Sequence, residues 1–262
     1  AYFEPLPADA DDAAAPEPAT HAATFVGRHA ELSLMISLLE RTTASHRGRT
    51  IVIRGEAGIG KTRLLEAFAE AAGARGASCH RVQVLDFGQV KARRPLAALF
   101  ISLLGLGPEA TPAERGRAIA DAIAAKRLHP DHILHASGLA GAPLSADQAS
   151  IERNVDAQAL ERGRIEVVRR LIESACAVAS LLLVIEDLHR ADAATRTMFG
   201  FLARIARAHR LAIVGTYQAD AIKRTDPWAA DLATLATAPR PPARLTVGPM
   251  GRDELARVIA AI

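Results

Sequence analysis

The fold of this chain is decided by the stretch Gly55-Glu56-Ala57-Gly58-Ile59-Gly60-Lys61-Thr62, which is followed by Arg63. It matches the pattern G-x-x-x-x-G-K-[ST] at every fixed position. Glycines let the backbone of such a loop curl until successive N–H groups point at phosphate oxygens, and the following helix adds the partial positive charge of its N-terminus. In this pattern the lysine reaches the β- and γ-phosphates of a nucleotide and the Thr hydroxyl binds Mg²⁺. We therefore predict a phosphate-binding loop whose ligand contacts run from Gly55 to Arg63.

The residues on both sides of the loop have the composition that such a loop requires. Residues 50–54 form a short β-branched run that predicts a strand. Residues 63–72 are rich in helix formers and are stopped by Gly73. The alternative, a glycine-rich turn that binds no ligand, does not account for the agreement of both flanks.

The composition is that of a globular protein with an aliphatic core. Of 262 residues, 50% are hydrophobic and only 4% are aromatic. This length predicts one domain, or one domain plus a fragment of another. The two cysteines indicate a reducing compartment without a disulfide framework.

Charge and hydropathy limit the partners that we expect. The formal net charge is +3, and basic and acidic residues are interspersed, so no direct nucleic-acid-binding face is evident. The chain has no apolar run approaching the ~20 residues that span a bilayer, and its N-terminus lacks the features of an export signal. We predict a cytoplasmic protein with no membrane partner.

Five candidate strands alternate with helical segments along the chain, at residues 50–54, 78–85, 181–186, 211–216 and 244–247. This alternation predicts an α/β fold with a five-stranded parallel sheet flanked by helices. Residues 95–180 contain several helices and no strand, so we predict a helical insertion between the second and third strands.

Composition also divides the chain into segments. Residues 1–24 are rich in Ala, Pro and Asp and predict a linker or tail. We assign residues 25–250 to the domain itself. Residues 251–262 begin a helix that has no C-terminal cap, which predicts the start of a following, truncated helical subdomain. We therefore expect a fragment of a longer protein.

The acidic partner of the loop is predicted at the end of the third strand, where the apolar run 181–185 is followed by Glu186 and Asp187. Mg²⁺ prefers hard oxygen ligands, and ligands of parallel sheets bind at the carboxyl ends of the strands. We expect Glu186 to orient the Mg²⁺ and its water, and Asp187 to activate the attacking water near the γ-phosphate. The two roles could be exchanged. The fourth strand leads into Gln218, a polar group that could touch the γ-phosphate or its water.

With these parts in order, the chain resembles the STAND class of P-loop ATPases, which are signal-transducing relatives of the AAA superfamily. It is most similar to the ATPase modules of bacterial LuxR-type large ATP-binding regulators and of multidomain adenylate/guanylate cyclases. The resemblance rests on these segments: Phe25-Val26-Gly27-Arg28, the loop at 55–62, the acidic strand continuing into Leu188-His189-Arg190-Ala191-Asp192, Gly215-Thr216-Tyr217, and residues 245–250.

The resemblance implies an AAA/STAND-like P-loop NTPase fold that binds ATP or ADP with Mg²⁺. It implies that Val26, Gly27 and Arg28 lie near the adenine. It also implies a slow switch between a closed ADP form and an open ATP form that often self-associates. The expected partners are therefore nucleotide, other domains of the same full-length chain and further copies of the chain in a nucleotide-dependent homo-oligomer.

One departure from the family pattern bears on the chemistry. The family commonly has arginine where Gln218 stands, and arginine senses the γ-phosphate by charge, whereas glutamine can only hydrogen-bond. We predict an ATP-binding regulatory switch domain of a larger signalling protein, and ATP hydrolysis stays open. The alternatives are a motor-type AAA ATPase related to replication initiators or helicase loaders, and a nucleotide-binding scaffold that does not hydrolyse ATP.

Overall fold

A computed structural model describes residues 27–84, 95–218, 220–222, 225–252 and 256. Residues 28–250 form one compact unit. The predicted tail at residues 1–24 lies outside the described residues, as does most of the predicted subdomain at 251–262.

The elements follow the predicted alternation of helices and strands. The helices are α1 His29–Ser45, α2 Lys61–Gly73, α3 Pro95–Leu103, α4 Pro112–Ala124, α5 Ile133–Ala140, α6 Ala146–Asn154, α7 Ala157–Val178, α8 Ala193–Ala206 and α9 Pro227–Ala236. The strands are β1 Arg49–Gly55, β2 Ser78–Gln83, β3 Leu181–Glu186, β4 Leu211–Gln218 and β5 Ala243–Val247. Short 3₁₀ turns occur at Pro130–His132 and Leu188–Arg190.

The five strands form one parallel sheet in the order β2-β3-β4-β1-β5. All six residues of β3 are buried, because helices cover both faces of a central parallel strand. The phosphate-loop strand β1 lies between β4 and β5, so the loop that follows it emerges at the carboxyl edge of the sheet, where β3 and β4 also end. The predicted fold class, a P-loop α/β fold, is confirmed.

Strand ends differ from the sequence prediction where pairing extends a strand. The predicted fourth strand stopped at Thr216, but β4 continues to Gln218, because Tyr217 and Gln218 pair with Arg54 and Gly55 of β1. Gln218 therefore belongs to the strand and does not lie in the loop beyond it. The predicted second strand reached residue 85, but β2 ends at Gln83, and residue 85 lies outside the described residues.

Helices α3 to α7 form the predicted insertion between β2 and β3. Local capping sets several helix starts: Thr111 and Glu114 form a capping box at α4, and Asp192 accepts a hydrogen bond from the Thr195 N–H at the start of α8. The insertion packs against β2, β3 and α8 through one aliphatic core. Among the described helices, none combines the length and apolar character needed to span a bilayer.

Candidate nucleotide-binding site

The loop between β1 and α2 takes a path that only glycine allows at several positions. Gly58 and Gly60 have φ of 69° and 96°, in the left-handed region that residues with a Cβ rarely adopt. At Gly55, a Cβ would lie 2.9 Å from both the Val247 carbonyl oxygen and Ile59 Cγ2. The fixed glycines of the pattern are therefore required by the local backbone, one for conformation and one for close approach.

Lys61, the first residue of α2, is held over this loop. Its side chain is buried, and Nζ donates hydrogen bonds to the carbonyl oxygens of Gly55 at 3.0 Å and Glu56 at 2.7 Å. Burial lowers the pKa of Lys61, while the charges of Asp187 and Asp220 act to raise it. The ammonium group is thus anchored by two backbone acceptors that phosphate oxygens could replace.

The N-terminus of α2 is open to an anion. Gly60 occupies the N-cap position and supplies no side-chain cap, and the first turn contains no acidic residue. The first N–H groups of a helix lack partners within the helix, and they carry partial positive charge. The loop and the helix start therefore present backbone donors on the same side as Lys61.

The acidic strand meets the loop through Thr62 and Glu186. Thr62 Oγ1 donates a hydrogen bond to Glu186 Oε2 at 3.2 Å. Arg81 Nε, from the neighbouring strand β2, donates to the other carboxylate oxygen, Oε1. Glu186 is only 5% exposed, so both of its oxygens are held by protein donors in a largely desolvated position. The pKa of the Arg81 guanidinium is raised, chiefly by its hydrogen bond to Glu186.

Asp187 lies between β3 and the 3₁₀ turn that follows, in a left-handed conformation with φ 59° and ψ 42°. For a residue with a Cβ this conformation costs roughly 1–2 kcal/mol. Its backbone N–H donates to Thr216 Oγ1 on β4 at 3.2 Å, and its Oδ1 lies 3.8 Å from His189 Nδ1. Asp187 is therefore held by its backbone, and its carboxylate is about one-quarter exposed.

Gly215 makes this arrangement possible. A Cβ at residue 215 would lie 2.4 Å from Leu188 Cδ1 and 2.8 Å from a ring carbon of Phe199. Glycine therefore lets the turn after β3 press against β4, which brings the Asp187 backbone within reach of Thr216. The same glycine places α8, which carries Phe199, close to the sheet.

The donor set fits Mg²⁺. The Thr62 hydroxyl and the Glu186 carboxylate are hard oxygen groups in direct contact beside the phosphate-binding loop. Within the described ranges there is no group of three or more His, Cys, Asp or Glu side chains that could hold a metal. A magnesium ion here would thus depend on phosphate oxygens and water for its remaining ligands, as is usual for this metal.

Comparison with known protein families agrees with an ATPase domain. Residues 24–214 match the family described as the AAA ATPase domain. The chain belongs to this family. The resemblance to P-loop ATPases of the AAA superfamily, predicted from the sequence, is confirmed.

This AAA ATPase domain has a curated relative, an uncharacterized protein of Rhizobium meliloti (strain 1021). The two are 25% identical over 240 residues, which cover 90% of this chain and 22% of the relative. The chain therefore spans about a fifth of the length of the curated relative that it matches.

Several solved structures are similar to the AAA ATPase domain. The Aeropyrum pernix ORC1 protein in complex with DNA has a TM-score of 0.50 at 13% identity, over 91% of this chain and 49% of that one. Cdc6p from Pyrobaculum aerophilum has a TM-score of 0.49 at 17% identity, over 91% of this chain and 51% of that one. A STAND protein with a tetratricopeptide repeat sensor from Pyrococcus horikoshii has a TM-score of 0.42 at 18% identity, over 89% of this chain and 25% of that one. The likeness to the first shows the fold alone.

The opening motif of the domain reaches the loop through Arg28. Its Nη2 donates to the Ile59 carbonyl oxygen at 2.8 Å and to the Gly248 carbonyl oxygen at 2.7 Å, and Nη1 lies 3.3 Å from Glu31 Oε1. Arg28 is 4% exposed. The guanidinium therefore ties the loop to the segment that follows β5. The expected place of this motif near the adenine stays a prediction, and Val26 lies outside the described residues.

The remaining predicted site residues of the AAA ATPase domain are Gln218, Glu56, Ala57 and Arg63. Gln218 is half-buried and lies opposite Gly55 in the β1–β4 register. Glu56 and Ala57 are exposed on the loop, and Arg63 Nη1 lies 3.3 Å from Glu66 Oε2, one turn further along α2. Lys61, Thr62, Glu186 and Asp187 thus gather at one edge of the sheet together with Gln218.

The sequence prediction missed one residue of this site, Arg81. It lies on β2, far from the loop in sequence, in a strand that carries no recognisable motif. An exposed arginine on an edge strand gives no signal of its partner, and only the adjacency of β2 and β3 identifies Glu186 as that partner.

Proposed function

We propose that this AAA ATPase domain binds ATP or ADP with Mg²⁺ and acts as a regulatory switch within a larger bacterial signalling protein. We propose that this larger protein is a LuxR-type transcription regulator or an adenylate/guanylate cyclase. The observation that carries the proposal is the hydrogen bond between Thr62, in the phosphate-binding loop, and Glu186, at the end of the acidic strand.

The roles of the phosphate-binding residues follow from their contacts. Lys61 exchanges the carbonyl oxygens of Gly55 and Glu56 for the β- and γ-phosphate oxygens. The N–H groups of the loop and of the first turn of α2 bind the same phosphates. Thr62 and Glu186 hold Mg²⁺, which neutralises phosphate charge when it is bound.

Asp187 is the better candidate to orient an attacking water. Both oxygens of Glu186 already accept hydrogen bonds, from Thr62 and Arg81, which suits a structural carboxylate more than a base. Asp187 has a partly exposed carboxylate on a fixed backbone. With Gln218 in place of a cationic group, charge stabilisation of the transferring phosphate is weak, so we expect slow hydrolysis.

A switch needs an element that responds to the nucleotide and reports outward. Arg28 bonds to the loop at Ile59 and to Gly248 after β5, so a change in the loop reaches the segment that leaves the sheet. The γ-phosphate and its metal would bias this element, and hydrolysis would remove the bias. We further propose a cytoplasmic protein in which the partners are neighbouring domains of the chain and other copies of it, assembled in the ATP state.

The test is nucleotide binding by the Lys61→Ala variant, measured by calorimetry with ATP and Mg²⁺. Hydrogen bonds to charged groups contribute about 1.5–3 kcal/mol, so we expect affinity to fall roughly 10- to 100-fold. Lys126→Ala, which removes an exposed lysine on the helical insertion, is the matched control and should bind like the parent. Equal affinity in Lys61→Ala and parent would refute the proposal.

Turnover separates the switch from the two other functions that the sequence leaves open. Phosphate release is measured at high protein concentration with and without nucleic acid. A steady rate that nucleic acid stimulates would favour a motor-type ATPase. Tight nucleotide binding with no phosphate release would favour a scaffold, and slow release that depends on self-association would favour the switch.

A further inference from the structure

A cavity of about 740 Å³ lies between the helical insertion and α8. Its walls come from α3, α4, α5 and α7 on one side and from α8, between its N-cap Asp192 and Phe201, on the other. Neither the loop at residues 55–62 nor Glu186, Asp187 or Thr216 lines it. The volume falls within the roughly 300–1,000 Å³ that is typical of small-molecule sites.

The walls of this cavity are mainly apolar. Leu139, Ile165, Met198 and Phe201 contribute aliphatic, thioether and aromatic surface. Protein interiors are normally packed with few voids larger than a water molecule. Water that covers apolar walls is released favourably when an apolar ligand replaces it.

Among the described lining residues the formal charges sum to zero, because two arginines, Arg115 and Arg164, stand against two acids, Glu161 and Asp192. Arg115 Nη1 donates to the Ala140 carbonyl at 2.8 Å, Arg164 Nη1 lies 3.8 Å from Glu161 Oε2, and Asp192 caps α8. A charged ligand would lose hydration without finding an uncommitted counter-charge, so the lining favours a neutral one.

From this volume, these apolar walls and this charge balance, we propose that the cavity binds a neutral, mostly apolar small organic molecule that acts as an effector of the nucleotide site. The binding site follows from the cavity alone. The effector role rests on the proposed function, because it requires a nucleotide to respond to.

Coupling between the two sites has a short physical route. The first turn of α8 lines the cavity, and only the turn Leu188–Arg190 and two further residues separate it from Asp187. The Arg190 N–H donates to the Asp187 carbonyl at 2.9 Å, so this turn moves with Asp187. If ligand binding displaces the start of α8, this turn transmits the displacement to Asp187. By linkage, the factor by which the ligand changes nucleotide affinity equals the factor by which the nucleotide changes ligand affinity.

Two dyes with the same apolar body test the chemistry of the site. N-phenyl-1-naphthylamine is neutral, and 8-anilino-1-naphthalenesulfonate carries an added sulfonate. We expect saturable, one-to-one binding of the neutral dye by fluorescence, at least tenfold tighter than binding of the anionic dye. No saturable signal from the neutral dye would overturn the site, and equal or tighter binding of the anionic dye would overturn its assigned chemistry.

Blocking variants locate the dye. Ala194→Trp fills the cavity from the first turn of α8, and we expect it to weaken binding of the neutral dye at least tenfold. Ala146→Trp, at an exposed alanine in the first turn of α6, is the matched control and should bind like the parent. Thr197→Trp, at another exposed lining position of α8, replaces Ala194→Trp if thermal unfolding shows that the latter is not folded. Unchanged affinity in a folded blocking variant would overturn the site.

The effector role is tested by titrating the neutral dye with and without a saturating non-hydrolysable ATP analogue and Mg²⁺. We expect the dye affinity to change at least about fivefold, the lower range of measured allosteric coupling. Equal affinities in protein shown to be saturated with the analogue would overturn the effector role. Absence of nucleotide binding would instead overturn the proposed function. The dye titration without nucleotide would still show whether the cavity binds the neutral dye.

Discussion

Replacing Arg81 with methionine is expected to lower the free energy of unfolding and, at the same time, to raise the affinity for Mg²⁺. Arg81 Nε donates to Glu186 Oε1, while Thr62 holds Oε2. Methionine keeps most of the apolar stem and removes the charge. The substitution therefore tests one interaction with two readouts of opposite sign.

The expected loss of stability follows from the exposure of the two partners. Glu186 is 5% exposed, so losing its counter-charge leaves a buried carboxylate whose remaining donor among the described residues is Thr62. Removing one partner of a fully buried ion pair costs about 3–5 kcal/mol. The Arg81 side chain is 39% exposed, and solvent screens much of its charge, so we expect about 1.5–2 kcal/mol, near the low end for a charge-assisted hydrogen bond.

Urea unfolding followed by circular dichroism measures this loss. With a slope of about 3 kcal/mol per molar urea for a domain of this size, the midpoint should fall by roughly 0.5–0.7 M. Arg75→Met is the matched control, because Arg75 Nε lies 3.0 Å from Glu40 Oε1 but both side chains are exposed. Such a surface pair contributes at most about 1 kcal/mol, and usually less.

Magnesium binding decides whether Arg81 competes with the metal. If the guanidinium and Mg²⁺ use the same carboxylate, Arg81→Met should need less Mg²⁺ for half-maximal nucleotide binding. A higher Mg²⁺ requirement would show that Arg81 helps to position Glu186 for the metal. A midpoint shift no larger than that of Arg75→Met would refute the reasoning about the buried carboxylate.

Three further predictions concern stability. Gly215→Ala should destabilise the domain by about 1–3 kcal/mol in urea unfolding, because the new Cβ would lie 2.4 Å from Leu188 Cδ1, whereas Gly73→Ala, where a Cβ meets nothing within 4 Å, should not. Thr111→Ala removes the capping box of α4 and should cost about 1 kcal/mol by the same measurement; no loss would mean that water replaces the cap. Burial raises the pKa of the Cys176 thiol to about 11, so a thiol reagent at pH 8 should label it only after unfolding. Because the unfolded thiol ionises first, the contribution of Cys176 to stability should be complete below about pH 9 and disappear as pH rises towards 11. Because Cys79 is free and exposed, labelling is read in a Cys79→Ser variant; rapid labelling of Cys176 in the folded variant at pH 8 would contradict this.

The parts of the fold that the sequence predicts are those coded by neighbouring residues. The loop before Lys61 is fixed by glycines within one short segment, and β3 is a continuous apolar run that ends in two acids. Each of these segments predicts its own local conformation. Because ligands of parallel sheets bind at the carboxyl ends of the strands, the sequence then also predicts that the loop and the acids meet.

The contacts that the sequence does not predict depend on strand order and close approach. Arg81 reaches Glu186 because β2 lies next to β3, although the whole helical insertion separates these strands in the chain. Asp187 reaches Thr216 only because residue 215 has no side chain to hold the turn away. Such contacts are determined by tertiary packing, and no local pattern of residues predicts them.

The guanidinium of Arg28 has a consequence for how this domain fits into a chain. It bonds to Gly248, so the two ends of the compact unit at residues 28–250 lie within reach of one side chain. A unit whose ends are adjacent can be inserted into a surface loop of another protein without separating the two ends of that loop.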